Sequence, residues 1–269
     1  MEAKDVKKSV RKSYSRVARR KGTSCCDSKA TDVSKAIGYT KVELDSIPEE
    51  SIMGLGCGNP TAIASLLEGE IVVDLGSGGG LDVFLAATKI GPTGKAIGVD
   101  MTPNMIDLAR ENAHKNEITN VEFRLGEIEN LPVADNTADI VISNCVINLS
   151  PEKLRVFQES FRVLKPGGRL AISDLVLLRP LPDSIRKNEK YLAACIAGAE
   201  LRDKYIGYIK EAGFEGIEIV AESGYAEDVD IEVVIEGADS VEFGSLEEEK
   251  AYIAKAIQSI TVTAFKPKG

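Results

Sequence analysis

The run Asp74-Leu75-Gly76-Ser77-Gly78-Gly79-Gly80 constrains the fold more than any other part of the chain. The β-branched stretch EIVVDLG (70–76) leads into it, and the apolar helical pattern LDVFLAATKIG follows. A glycine cluster extends neither element, because glycine loses more backbone freedom on folding than any other residue. It does permit positive φ and close approach of the main chain to a ligand. Strand, glycine turn and helix in that order open an α/β unit, and such units bind ligands at the carboxyl edge of a parallel sheet.

The alternation continues. KAIGVD (95–100) predicts a second strand and TPNMIDLARENAHKNE its helix, with Thr102 at the N-cap and Pro103 at the first helical position. VEFRLGE (121–127) and ADIVISN (138–144) predict strands three and four. PEKLRVFQESFRVL predicts a helix stopped by Lys165-Pro166-Gly167-Gly168. RLAISDLVL (169–177), FEGIEIVAES (214–223) and ITVTAFKP (260–267) supply the remaining strands, with the helix DKYIGYIKEAG before the sixth. Residues 179–200 are long enough for a helical cap over the site. In the acidic stretch 223–258, IEVVIEGADSVEF reads as a hairpin and SLEEEKAYIAKAIQSI as a helix. The expected organisation is an N-terminal helical cap segment over 1–66, an α/β core over 67–222 with its cap insertion at 179–200, and a C-terminal insertion plus final strand over 223–269.

Composition narrows the function. With 43% hydrophobic and 28% charged residues, the chain has the apolar material for a globular core. No apolar run reaches membrane-spanning length, and MEAKDVKKSVRKSYSRVARR lacks the apolar centre of a secretory signal, so a cytoplasmic protein with no membrane partner is expected. A formal charge of −9 argues against binding nucleic acid through phosphates. The basic residues near the start (Lys7, Lys8, Arg11, Lys12, Arg16, Arg19, Arg20) fit a solvated helix face better than an RNA grip, because Val6, Val10, Tyr14 and Val17 follow helical spacing. The sole histidine, His114, falls near the end of a helix, which removes Ser–His and Cys–His nucleophile schemes.

A nicotinamide fingerprint starting at Gly76 would want glycine or alanine where Leu81 stands. The turn fits better the D/E-x-G-x-G-x-G pattern of enzymes that use S-adenosylmethionine (SAM), and Asp100, ending the second strand, is placed to accept hydrogen bonds from both ribose hydroxyls. GEIENLPVADNTADIVISN and FRVLKPGGRLAISDLV resemble the corresponding parts of class I SAM-dependent methyltransferases. The resemblance implies a Rossmann-like, seven-stranded, mostly parallel sheet whose last strand is antiparallel, here with an N-terminal helical segment and a small C-terminal insertion. It also implies that the main chain near Gly76 and Gly78 faces the methionine half of SAM, Asp100 the ribose, Met101 one adenine face, and Glu127 with Ile128 the adenine edge, with Asp74 a further cofactor contact. Asn144, ending the fourth strand, is a further expected cofactor contact.

Five cysteines remain: Cys25, Cys26, Cys57, Cys145 and Cys195. Cys145 directly follows the fourth strand on the cofactor edge. Cys57 sits in a glycine-rich turn before a predicted helix, a position that can lower a thiol pKa. Cys195 sits in an alanine-rich helical pattern within the insertion. Each could equally be a small buried hydrophobe, and separations of 88 and 50 residues carry no local metal signature. GLGCGNP, SNCVINL and the Cys195 segment resemble the three cysteine motifs of arsenite methyltransferases. That resemblance implies that Cys57, Cys145 and Cys195 bind trivalent arsenic, free or as its thiol conjugate, and that SAM methylates it to products of arsenic detoxification. Trivalent arsenic is soft, prefers thiolates, and keeps a lone pair as nucleophile when three-coordinate. Each round leaves pentavalent arsenic, so a thiol reductant (thioredoxin or a small thiol) is an expected partner, with Cys25 and Cys26 candidates for a redox role. Competing readings are a C- or O-methyltransferase of a small organic acceptor, a non-catalytic metalloid-binding protein, and an RNA methyltransferase.

Overall fold

The β-branched runs pair into one sheet. The computed structural model describes residues 3–20, 28–224, 243 and 245–269. Its strands are β1 (Ile71–Leu75), β2 (Lys95–Asp100), β3 (Val121–Leu125), β4 (Ala138–Asn144), β5 (Leu164–Leu177), β6 (Glu200–Leu201), β7 (Glu215–Gly224) and β8 (Ile257–Phe265). Strand order is β3-β2-β1-β4-β5-β8-β7, with the two-residue β6 pairing off β5. β1 to β5 are parallel, and β8 enters antiparallel between β5 and β7, Ile172 facing Val262. The seven-stranded sheet with its last strand antiparallel is therefore as expected, and β6 is an addition.

Period-two alternation distributes the core to both sheet faces. Val72, Ile140, Ile142 and Ala171 pack under α5 (Leu81–Ile90) and α6 (Pro103–Lys115). Val73, Leu75, Val141, Leu170 and Ile172 pack under α7 (Lys153–Val163) and α10 (Arg202–Glu211). A third cluster caps the carboxyl edge of the strands. It joins Val10 of α1 (Ala3–Arg20), Cys57, Cys145 and Cys195 to Leu175, Leu177 and Ile257. The insertion at 179–200 supplies α8 (Asp183–Arg186) and α9 (Glu189–Ala193) to that cluster. The elements α2 (Ser28–Ala36), α3 (Lys41–Asp45) and α4 (Pro60–Ile63) precede β1, and α11 (Leu246–Ala256) precedes β8.

Several local expectations change. α7 ends at Val163, just before Lys165-Pro166-Gly167-Gly168, as expected, but β5 begins already at Leu164 and carries that segment as a bulge, the register jumping from Ala138↔Leu164 to Ile140↔Arg169. Cys195 is not helical: α9 ends at Ala193, and Cys195 takes φ +62°. Thr102 occupies the N-cap of α6, but its side chain makes no capping bond. Cys25, Cys26 and nearly all of the expected hairpin IEVVIEGADSVEF lie outside the described residues. Among the described residues no helix is long and apolar enough to cross a membrane.

Candidate functional site

The glycine turn after β1 puts Gly76, Gly78 and Gly80 at φ +70°, +51° and +97°, where an L-side chain is strained. A Cβ on Gly76 would collide with the side chain of Val146, whereas one on Gly78 would meet nothing within 4 Å. The main chain at Gly78 thus borders open space. That space is a cavity of about 210 Å³, bordered by Asp74, Gly76, Ser77, Gly78, Asp100, Met101, Ile128, Asn144, Cys145 and Cys195. Asp100 ends β2 beneath it, accepting from the Thr102 N–H at 2.7 Å and the Gly78 N–H at 3.0 Å through different oxygens. Each oxygen keeps a lone pair for a hydroxyl donor. The buried hydroxyl oxygen of Ser77 has no protein partner.

Glu127 does not border this cavity. It points to its outer rim, where Lys7 donates at 2.9 Å and Arg11 at 3.3 Å. Glu129 lines the cavity instead, accepting from the Ser150 hydroxyl at 2.5 Å, with Lys7 3.2 Å away. The basic face of α1 is therefore partly engaged in clamping the helix to these acids, while Val10 and Tyr14 turn inward.

The thiols converge. The ligand atoms of Cys57, Cys145 and Asp174 all lie within 4.8 Å of one another, and all three residues are buried. The Cys195 thiol donates to the carbonyl of Cys145 at 2.6 Å. Cys145 and Cys195 border the cavity, and Cys57 lies behind Cys145. Both Cys145 (φ +57°) and Cys195 (φ +62°) occupy the left-handed region. Non-glycine residues there cost about 1–3 kcal/mol each and persist where surroundings impose them. Both strained residues belong to one contact, the Cys195 thiol meeting the Cys145 main chain from a separate segment.

All three thiols are raised above the ordinary thiol value. Burial pushes Cys57 up, and its Cys145 neighbour takes back part of the rise. At Cys145 the Cys195 thiol pulls down, but Cys57 and burial outweigh it. Contact with Cys145, then burial, raises Cys195 well above normal. The expected low pKa at Cys57 is therefore corrected: the residue is enclosed rather than exposed at a helix start, and α4 spans only Pro60–Ile63. These shifts favour the protonated thiols.

Asn144 joins the two halves of the site. Its side-chain oxygen accepts the Cys57 N–H at 2.9 Å, while its nitrogen donates to Gly58 O and to the Tyr39 hydroxyl, each at 2.8 Å. Tyr39 in turn donates to Asp82 at 2.7 Å. Burial pushes Asp82 up to about 6, against the hydrogen bonds from Tyr39 and Asn144. Asp74 is held well above its ordinary range by burial and by the nearby charges of Asp82 and Asp100. Sequence reasoning missed Tyr14, Tyr39, Asp82, Glu129 and Asp174. Only Asp82 carried a local signal, an acid in the first turn of the helix that follows the glycines.

The family described as Methyltransferase domain matches residues 66–213. The arsenite methyltransferase of Halobacterium salinarum is 52% identical over 198 residues, covering 74% of this chain and 51% of that protein. The arsenite methyltransferase of Homo sapiens is 35% identical over 208 residues, 72% of this chain and 54% of that one. In three dimensions the chain is similar to an arsenic (III) S-adenosylmethionine methyltransferase from Chlamydomonas reinhardtii, with TM-score 0.65 and 32% identity over 88% of this chain and 74% of that one. Fold and glycine-turn site define a class I methyltransferase domain. Within that class the chain belongs to the arsenite methyltransferase family. It spans about half the length of the curated relatives it matches.

Proposed function

We propose that this protein transfers a methyl group from SAM to trivalent arsenic held by Cys57, Cys145 and Cys195. The observation that carries the reading is that Cys57 and Cys195, from segments far apart in sequence, both approach Cys145, which borders with Cys195 the cavity of the glycine turn and Asp100. The cavity suits SAM: main chain is open at Gly78, Asp100 has lone pairs for ribose hydroxyls, and Met101 and Ile128 offer apolar surface for adenine. Asp74 and Asp82 also border the cavity, and the cationic end of that ligand would draw their raised pKa values back towards the ionised form.

Neutral thiols suffice for capture. Each cysteine sulfur bonds to arsenic as one arsenite hydroxide leaves with the thiol proton, so three thiols release three waters. Bound SAM supplies an activated methyl group, which the arsenic lone pair takes as S-adenosylhomocysteine leaves. Because that lone pair carries no proton, the protein needs no general base, and it contributes orientation. The strained turns at Cys145 and Cys195 and the Asn144 anchor on Cys57 supply it.

The methylated arsenic is pentavalent and takes two electrons before another round. Cys25 and Cys26 are the proposed redox thiols, recycled by thioredoxin or a small thiol, and the reducing cytoplasm is the compartment this chemistry requires. The deciding assay incubates protein with SAM, arsenite and thiol and speciates the arsenic. Cys145→Ser is expected to retain SAM affinity and form no methylarsenical. Full activity in that variant removes the mechanism.

A further inference from the structure

Asp174 plays no part in the chemistry just described, yet it sits against the thiols. It lies on β5, is 0% exposed, and makes no ion pair among the described residues. Its Oδ1 accepts from Asn148 Nδ2 at 2.8 Å and from the Leu175 N–H at 2.9 Å, while among the described residues Oδ2 accepts only the Tyr205 hydroxyl, at 2.9 Å. Oδ2 therefore keeps a lone pair. A buried carboxylate whose nearest cation, Lys153, forms no direct ion pair with it is costly, and arsenic bound by three sulfurs has no use for a fourth, oxygen, ligand.

We propose that Cys57, Cys145 and Asp174 form a site for a thiophilic divalent cation, zinc or cadmium, which competes with the arsenical for the two shared thiols. The inference rests on the reading above that soft ions reach these sulfurs through the cavity. The donor atoms are gathered already, all within 4.8 Å of one another. Zinc bonds of about 2.3 Å to sulfur and about 2.0–2.2 Å to oxygen set tetrahedral donor edges of about 3.8 Å or less, so closure by about 1 Å completes the site.

Charge distinguishes the two occupants. Trivalent arsenic with three thiolates is neutral, pyramidal and complete. A divalent cation wants four donors, and mixed sulfur and oxygen ligands suit its intermediate softness. On binding, Cys57 and Cys145 release their two protons to solvent and their thiolates balance the metal charge. The Asp174 carboxylate becomes the third donor, and its added negative charge faces the ammonium of buried Lys153. Water or Cys195, which lies against Cys145, fills the fourth position.

The experiment titrates the whole protein and its Asp174→Asn variant with Cd²⁺ and, separately, with arsenite by calorimetry. Loss of the carboxylate is expected to weaken Cd²⁺ roughly tenfold or more and to leave arsenite within about twofold, each ligand displacing the other from the parent. Equal Cd²⁺ affinity in parent and variant overturns the proposal. Because a change at a buried position can unsettle the fold, X-ray absorption on zinc-loaded unmodified protein is the second measurement. A mixed shell of two or three sulfurs with oxygen supports the site, and a shell of nitrogen and oxygen alone overturns it. Failure of arsenite to bind the parent would refute the arsenic reading, and the cation measurements would still decide this one.

Discussion

The side-chain oxygen of Asn144 accepts the backbone N–H of Cys57 at 2.9 Å, tying the first thiol-bearing loop to the end of β4 across 87 residues. The same side chain donates to Gly58 O, so one residue satisfies two main-chain groups of that loop. Asn144→Ala strips both of partners, and unsatisfied buried polar groups cost about 1–3 kcal/mol each. The expected outcome is a destabilisation of about 2–6 kcal/mol in denaturant unfolding. Arsenite affinity should fall more steeply than SAM affinity, and an unchanged arsenite affinity would mean that the loop needs no such anchor.

The glycine turn offers a paired test. At Gly76 a methyl group meets Val146 and a positive φ together, while at Gly78 it meets only the φ. Gly78→Ala should cost about 1–2 kcal/mol of stability. Gly76→Ala should cost more and be partly rescued by Val146→Ala, and thermal unfolding of the four proteins decides it. Absence of rescue would show that backbone strain, not the clash, dominates at Gly76.

Asp82 sets a pH dependence with a definite sign. Burial lifts its folded pKa to about 6, from an ordinary value of about 3.9. Below about pH 4 both folded and unfolded states hold the proton and no cost is felt. As pH rises towards about 6 the unfolded state releases it first, so stability declines, by on the order of 3 kcal/mol in full. Asp82→Asn keeps an acceptor for Tyr39 and removes this decline. Unfolding midpoints of parent and variant at pH 4.5 and 7.5 should converge at the acid end and separate in favour of the variant at the other. Parallel profiles would refute the assignment.

The clamp of α1 should be salt-sensitive. Lys7 and Arg11 hold Glu127, which is 41% exposed, and Lys7 also faces Glu129. Pairs of this exposure contribute about 0–1 kcal/mol each. The double variant Lys7→Gln/Arg11→Gln should release SAM several-fold faster at low salt and show little further change when salt is added. If the parent's own release rate is indifferent to salt, the clamp is not electrostatic.

Much of the architecture is readable from local chemistry. The strand–turn–helix at Asp74–Gly80 and the later β–α alternation follow from residue type and period, and the observed sheet repeats them. The convergence of Cys57, Cys145 and Cys195 is not readable from spacing, and it entered through resemblance alone. Cys195 shows why. Its alanine-rich surroundings favour a helix, but Gly198 passes so close to the Asn148 carbonyl that a Cβ there would collide with it, and the chain turns before that contact. Asp174 was invisible for another reason: it stands in a buried strand between Ser173 and Leu175 with no local motif, and its partners Asn148 and Tyr205 come from other elements.

The last strand carries a consequence for biosynthesis. The hydroxyl of Ser259, in β8, donates to the carbonyl of Cys57 at 2.8 Å. A growing polypeptide completes β1, β2 and the acidic end of β2 long before it reaches that serine. The nucleoside pocket can thus take shape early on the ribosome, whereas the sulfur cluster receives its final tether only near the end of translation. A chain halted before residue 259 would lack that tie to the Cys57 loop.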